Sequence, residues 1–444
     1  MKITVAGIGY VGLITAVCLA EKGHDVICVD IDETKISRLQ AGEAIIYEQD
    51  LSELMRKNAD RLTYTTDPVF AYQHAEVIFV GVGTPEKHDG TANMSYVTST
   101  VESIANIAEA PNVVVVIKST VPIGANDQIE NYFRQHTKNN ITVNVVSNPE
   151  FLAQGTAVRD TLRASRIVIG ANSARAQDVM LQVYRDFSAP KVLTDRASAE
   201  MIKYASNNFL AVKISFINEI ANLCEELGAN IDDVTLGMSY DPRIGEQFLN
   251  SGVGYGGSCF PKDTKALYWI SRYYDRSLQT VKAAIEINEK QKLILIHKAR
   301  KYYETFAGLT VAILGLTFKP GTDDLREAPS IANIPIFLSE GAIVKAYDPV
   351  GIPNAKKIYP TKVKYYDNID DTICDADICF VFTEWPEIKE YDVCKFAKLM
   401  KRPIVMDGRR CIKDNVCSDI IVERIGSKPA LISFNQPKNN CPLD

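Results

Sequence analysis

At 444 residues with 46% hydrophobic content, the chain is long enough for about three domains with sizeable cores. A net charge of −6 gives no basic footprint for nucleic acid, and no apolar run reaches the roughly 18 residues of a membrane span. Residues 1–20 open directly on a strand pattern, so no signal peptide is expected. Ten cysteines, at 18, 28, 224, 259, 374, 379, 394, 411, 417 and 441, form no Cys-x-x-Cys pair and adjoin no histidine pattern. No metal site is expected, and reduced thiols in a cytoplasmic protein fit this distribution.

The apolar run Lys2 to Ala6 leads into Gly7-Ile8-Gly9-Tyr10-Val11-Gly12 and then a helical stretch to Gly23, and a second apolar run, His24 to Val29, ends in Asp30. Strand, glycine turn, helix and a terminal acid form the dinucleotide-binding fingerprint: glycines for the tight turn and close pyrophosphate approach, a helix N-terminus for the phosphates, an acid for the ribose hydroxyls. The alternative is an ordinary tight turn between strand and helix. Asp30 would repel a 2′-phosphate, and the nearest cations, Lys35 and Arg38, come later, so NAD is favoured over NADP. To about residue 190, apolar runs at Val77–Val80, Val113–Ile117, Thr142–Val146 and Ile167–Ile169 alternate with helical patterns, which predicts a doubly wound domain around a parallel sheet.

From Ala197 to Leu227 apolar residues keep a helical rhythm without proline, and Gly228 stands where the helix would stop. Such a helix, about 46 Å long at 1.5 Å per residue, suffices to bridge two domains and offer a face to a second subunit. Lys203 and Asn207, four residues apart, share one of its faces. A lysine in this apolar stretch is either a functional cation or the rim of a solvated stripe. A further helical pattern runs from Val281 to Tyr303.

In Gly254-Tyr255-Gly256-Gly257-Ser258-Cys259-Phe260-Pro261-Lys262-Asp263 one cysteine sits in a glycine-rich loop with a lysine and a carboxylate close behind. Nearby cations and backbone N–H donors favour the nucleophilic thiolate, so the loop reads either as a reactive thiol or as a turn around a small buried cysteine. The opening style returns after Gly308: Leu309–Leu316, Ala342–Tyr347, Ile378–Phe382 and Ile404–Met406 read as strands of a second α/β domain. Its glycine turn is incomplete because Thr317, Phe318 and Lys319 replace glycines, which points to a different nucleotide-like ligand. From about Lys428 the tail has turn formers and no period, so it is expected to be loose.

The GxGYVG start, Lys118-Ser119-Thr120-Val121-Pro122, Asn148-Pro149-Glu150-Phe151-Leu152, the Lys203 and Asn207 pair, Arg243-Ile244-Gly245, the Cys259 loop through Asp263, and Asp407-Gly408-Arg409-Arg410 together resemble the UDP-glucose/GDP-mannose dehydrogenases. The resemblance keeps motif order and spacing from residue 1 to about 420. It implies an α/β fold of two doubly wound Rossmann-like domains joined by a long central helix and a helical middle domain. The expected boundaries are 1–195 for the NAD-binding domain, 196–305 for the dimerisation domain carrying the cysteine loop, 306–425 for the UDP-sugar-binding domain and 426–444 for the tail. It also implies a four-electron oxidation of a sugar nucleotide, CH2OH to carboxylate, with NAD reduced twice and the aldehyde held as a Cys259 adduct.

Carried over by position, the resemblance gives Lys203 and Asn207 as donors where oxyanion charge develops, Asp263 as a proton-handling partner, Thr120 as a holder of water or of the cofactor-side edge, and Glu150 as base in thioester hydrolysis. Thr120 also reads as a strand end and Glu150 as a local cap. Many members carry a second glutamate four residues after the first; here it is Gln154, an amide that cannot act as a base, so the role falls on Glu150 with Asp263 assisting. The resemblance implies sugar or nucleotide contacts from Glu150, Phe151, Leu152, Lys203, Asn207, Phe248, Leu249, Asn250, Tyr255 and Gly256. Phe318, Lys319 and Arg410 fall where the family holds uridine diphosphate, and Arg243 where an arginine reaches the neighbouring subunit's sugar. Cofactor contacts are expected from Gly7, Gly9, Val11, Gly12, Asp30, Lys35, Thr84, Thr120 and Lys262, with Arg326 approaching NAD across a subunit boundary; from charge alone Arg326 reads as part of a solvated face. A homodimer through the long helix is expected, with UDP-glucose as substrate and GDP-mannose or a UDP-N-acetylhexosamine as alternatives. A non-catalytic NAD-binding scaffold would lack Cys259, Lys203 or Asp263, and a two-electron hydroxyacid dehydrogenase would have no use for Cys259.

Overall fold

The computed structural model describes residues 1–139, 141–413, 417 and 419–427. The expectation of a loose tail therefore falls almost wholly outside the described residues. Contacts divide the chain into a unit ending at Ser206 and one beginning at Asn207, so the boundary falls inside the helix Arg196–Leu227. That helix has 32 residues, and its bounds agree with the periodicity to within one residue.

The first unit holds β1 (Lys2–Ala6), β2 (Asp25–Val29), β3 (Leu62–Thr65), β4 (Val77–Val80), β5 (Asn112–Ile117), β6 (Thr142–Ser147), β7 (Ile167–Ala171) and β8 (Lys191–Thr194), in the order β3-β2-β1-β4-β5-β6-β7-β8. The central strands are buried on both faces, as their unbroken Val/Ile runs require when helices cover both sides of a sheet. One pairing departs from the expected parallel sheet. β6 and β7 run antiparallel, with the helix Ala157–Leu162 in the segment between them.

In the second unit β9 (Thr310–Leu314), β10 (Ile343–Tyr347), β11 (Val363–Tyr365), β12 (Ile378–Val381), β13 (Ile404–Asp407) and β14 (Ile421–Arg424) form an all-parallel sheet of order β11-β10-β9-β12-β13-β14. This is the doubly wound order of a Rossmann domain, repeated from the first unit. The repeat extends to single bonds. Gly7 N–H donates to Val29 O at 2.8 Å, and Gly315 N–H to Tyr347 O at 2.8 Å. Likewise Ile8 N–H donates to Asp30 Oδ2 at 2.7 Å, and Leu316 N–H to Asp348 Oδ2 at 2.7 Å.

The two turns then diverge. Asp348 is 2% exposed and also accepts from Thr317 N–H, Val350 N–H, Gly351 N–H and Trp385 Nε1–H, so protein groups consume this acid. The incomplete glycine turn is thus a sealed one. The helical pattern Val281–Tyr303 is realised as two helices, Gln279–Gln291 and Ile294–Ala299. The chain tightens between them, where Leu293 N–H bonds back only three residues to Lys290 O. Among the described residues eight cysteines are unbridged thiols. Among the described residues no helix is long and apolar enough to cross a membrane.

Candidate active site

The glycine turn of the first unit is shaped by what a Cβ would meet. At Gly12 it would collide with the carbonyl of Gly7, and at Gly7, whose φ is +84°, it would lie 2.5 Å from Val82 Cγ1. At Gly9 it would meet nothing within 4 Å. Gly7 and Gly12 therefore serve the turn itself, and Gly9 leaves open space at the N-terminus of the helix Tyr10–Glu21, which has no side-chain cap. The residues fit a pyrophosphate there. Asp30 lies at the end of β2 with its carboxylate braced by Ile8 N–H and Asp32 N–H and 3.9 Å from Lys35 Nζ. Val11 is half-buried in the first turn. Thr84, buried after β4, donates its hydroxyl to the backbone carbonyl of Thr120 at 2.9 Å. Gly9→Ala is expected to change stability by less than about 1 kcal/mol while raising the NAD dissociation constant at least about tenfold; calorimetric binding and a denaturant melt check both halves.

Lys203 is 3% exposed, which rules out the solvated-rim reading. Its ammonium donates to Glu150 Oε1 at 2.8 Å and to Glu150 O at 2.6 Å. The other carboxylate oxygen accepts from Leu152 N–H at 2.9 Å, so Glu150 also makes the local bond the capping alternative anticipated. Phe151 lies between two cations, with Arg166 3.9 Å and Lys203 5.5 Å from its ring centre. The loop beyond is tied to the glycine turn through Glu48, which accepts from Tyr10 Oη–H, Gly155 N–H and Ala157 N–H. Sequence reasoning missed Glu48 and Arg166.

In the second unit Cys259 is a half-buried free thiol at the N-cap of the helix Phe260–Tyr273. The positive end of this helix and the guanidinium of Arg326 both favour the anionic sulfur. Arg326 is itself forked onto Asp324 and stays exposed, as the solvated-face reading expects. Asp263, 1% exposed, accepts from Asn207 Nδ2 at 2.6 Å and from Lys262 Nζ at 2.7 Å. The loop glycines are dictated by close approach: a Cβ on Gly256 would strike Glu327 O, and one on Gly257 would enter the Phe318 ring. Asn288 receives Tyr255 N–H and donates to Tyr255 O, and Arg409 donates to Gly254 O at 3.1 Å and to Phe382 O at 3.0 Å. These two loop anchors also escaped the sequence reading.

Phe248 has a φ of 65°, a strained backbone for an aromatic residue, and its ring packs on Phe260. Leu249 is buried and Asn250 exposed. Lys319 lies 5.6 Å from the Phe318 ring centre. Arg243 is exposed and forked onto Asp241, and Arg410 pairs with Asp232 at 3.0 Å.

The UDP-glucose/GDP-mannose dehydrogenase family matches along the chain: its NAD binding domain at residues 1–188, its central domain at 197–290 and its UDP binding domain at 312–414. The chain belongs to this family. It is 45% identical to UDP-glucose 6-dehydrogenase YwqF of Bacillus subtilis, over 93% of this chain and 94% of that protein, and 40% identical to UDP-glucose 6-dehydrogenase of Pseudomonas aeruginosa, over 92% and 93%. Among solved structures it resembles a UDP-glucose dehydrogenase from Pyrobaculum islandicum, with 32% identity, a TM-score of 0.89 and coverage of 96% and 98%. It also resembles the UDP-D-ManNAc dehydrogenase of Pyrococcus horikoshii, with 27% identity, a TM-score of 0.85 and coverage of 96% and 99%. As a member of the UDP-glucose/GDP-mannose dehydrogenases it is an NAD-dependent oxidoreductase, and residues 1–188 are its NAD-binding part.

Proposed function

We propose that this chain oxidises UDP-glucose to UDP-glucuronate in two successive NAD-dependent steps, with Cys259 as the covalent carrier, and that it works as a cytoplasmic homodimer. The observation that carries the reading is Cys259: a half-buried thiol at a helix N-terminus, under the charge of Arg326 and in a loop anchored by Asn288 and Arg409. The sugar follows from relatives named UDP-glucose 6-dehydrogenase at 40–45% identity over nearly the whole chain.

NAD supplies a hydride acceptor when it is bound at the Gly7–Gly12 turn. The C6 alcohol loses a proton and a hydride and becomes an aldehyde. The Cys259 thiolate adds to C6, forming a C–S bond and placing the negative charge on oxygen, where Lys203 and Asn207 donate. Loss of the remaining C6 hydrogen as hydride restores the carbonyl as a thioester. Water, deprotonated by Glu150, then attacks that carbon and the C–S bond breaks, releasing thiolate and a carboxylic acid that ionises to carboxylate by giving its proton to solvent. Asp263, joined to Asn207 and Lys262, keeps the donor amide oriented. The sequence boundaries 1–195, 196–305 and 306–425 divide cofactor binding, thiol presentation and nucleotide binding.

A sister substrate is the second reading, favoured by the likeness to the UDP-D-ManNAc dehydrogenase structure. Parallel kcat/KM measurements decide between them. UDP-glucose is expected to exceed GDP-mannose and the UDP-N-acetylhexosamines by at least about a hundred-fold, the lower end of what substrate discrimination by pocket contacts reaches; a reversed order contradicts the reading.

The dimer rests on Phe209, Phe216, Leu223 and Leu227, which repeat at seven and four residues on the long helix and are 65%, 48%, 52% and 73% exposed. Phe216→Glu combined with Leu223→Glu is expected to give a monomeric mass by light scattering, and an unchanged dimer would refute this surface.

A further inference from the structure

Lys118 follows β5 directly, and Asn148 follows β6, so the parallel register that pairs Ile117 with Ser147 brings the two side by side at the carboxyl end of the sheet. Lys118 Nζ donates to Asn148 Oδ1 at 3.0 Å. The same oxygen accepts from Tyr184 Oη–H at 2.5 Å, and Asn148 Nδ2 donates to Val168 O at 2.7 Å. Lys118 and Tyr184 thus fill both acceptor sites of the Asn148 oxygen while its amide holds Val168 O. Asn148 is followed by Pro149 and Glu150, and Lys118 interacts electrostatically with both Glu150 and Lys203. Two lysines thus act on one carboxylate.

We propose that Lys118 is a positioning residue for the Lys203–Glu150 pair, fixing through Asn148 the backbone that presents Glu150 and acting by its charge on both members of the pair. The inference rests on the catalytic roles given above to Glu150 and Lys203. The groups that face the Lys118 amine are few: Glu150, which favours its charge, Lys203, which opposes it, and Cys18 on the helix Tyr10–Glu21, with Tyr184 reaching the shared asparagine. Burial pushes the Cys18 thiol up to about 12 and raises the Tyr184 phenol, so both stay neutral across the working range. Burial also pushes the Lys118 amine down to about 8, with Lys203 adding in the same direction. Below that pH Lys118 is charged, attracting the Glu150 carboxylate and repelling the Lys203 ammonium; above it Lys118 is neutral and both interactions are lost.

The test is the pH dependence of kcat from pH 6 to 10 for the parent, Lys118→Gln and Lys118→Arg, with Glu150→Gln and Lys203→Gln alongside. Lys118→Gln is expected to lower kcat about tenfold and to move both limbs of the profile to higher pH by roughly half a unit to one and a half units, the effect of losing one nearby charge at an effective dielectric near 20. Lys118→Arg is expected to keep the limbs near those of the parent. A lower kcat with unmoved limbs, or a profile that coincides with the parent's, overturns the proposal while the catalytic reading stands. Parent-like kcat in both Glu150→Gln and Lys203→Gln removes the catalytic reading and this inference with it. Should Lys118→Gln fail to fold, NMR titration of 13C-labelled lysines in the parent decides: one amine must titrate well below the rest, and a single titration shared by all lysines overturns the proposal.

Discussion

Cys259→Ser is expected to cut steady-state NADH formation from UDP-glucose by at least about a thousand-fold, leaving a burst of at most one NADH per active site. The first hydride leaves an alcohol carbon and needs no sulfur, so it survives the change. The second needs a tetrahedral carbon that still carries hydrogen. A serine hydroxyl in this loop has the helix N-terminus and Arg326 beside it, yet it ionises so far above neutrality that neither makes it a nucleophile at working pH. Rapid-quench counting of NADH per site checks this. Sustained turnover at a tenth of the parent rate would remove Cys259 from the chemistry.

Lys203→Met is expected to act on stability and rate together. It leaves the Glu150 carboxylate, 8% exposed, without the ammonium that now lies 2.8 Å away. Breaking one side of such a pair costs about 3–5 kcal/mol, and removing a preorganised oxyanion donor costs about a hundred- to a thousand-fold in rate. The two effects separate in the double variant Lys203→Met with Glu150→Gln. Urea unfolding is expected to show much of the stability restored, because no unpaired charge remains, while activity stays lost. A double variant as unstable as the single one would mean that the ion pair is not what the lysine contributes to folding.

The sheets were legible where strands are unbroken apolar runs, as at Val77–Val80 and Ile378–Val381, because burial on both faces leaves little room for polar residues. β3, β8, β11 and β14 escaped notice: each has only three or four residues, and Leu62-Thr63-Tyr64-Thr65 and Lys191-Val192-Leu193-Thr194 carry polar residues that edge positions tolerate. At the site, the glycine turn and Asp30 could be read because their geometry is local. The bond between Lys203 and Glu150 joins residues 53 apart, and that between Arg409 and Gly254 joins residues 155 apart. No spacing rule reaches across such separations, so these partners emerged only from the fold. Family resemblance gave roles to Lys203 and Glu150, and it included Lys118 in a motif without giving it one.

The most direct test of the central claim is the NADH yield from a limiting, accurately known amount of UDP-glucose with NAD in excess. Two NADH per UDP-glucose, with UDP-glucuronate as the sole sugar product, is the result the thioester route requires. One NADH per UDP-glucose, with free aldehyde in solution, would contradict it and leave the chain a two-electron alcohol dehydrogenase.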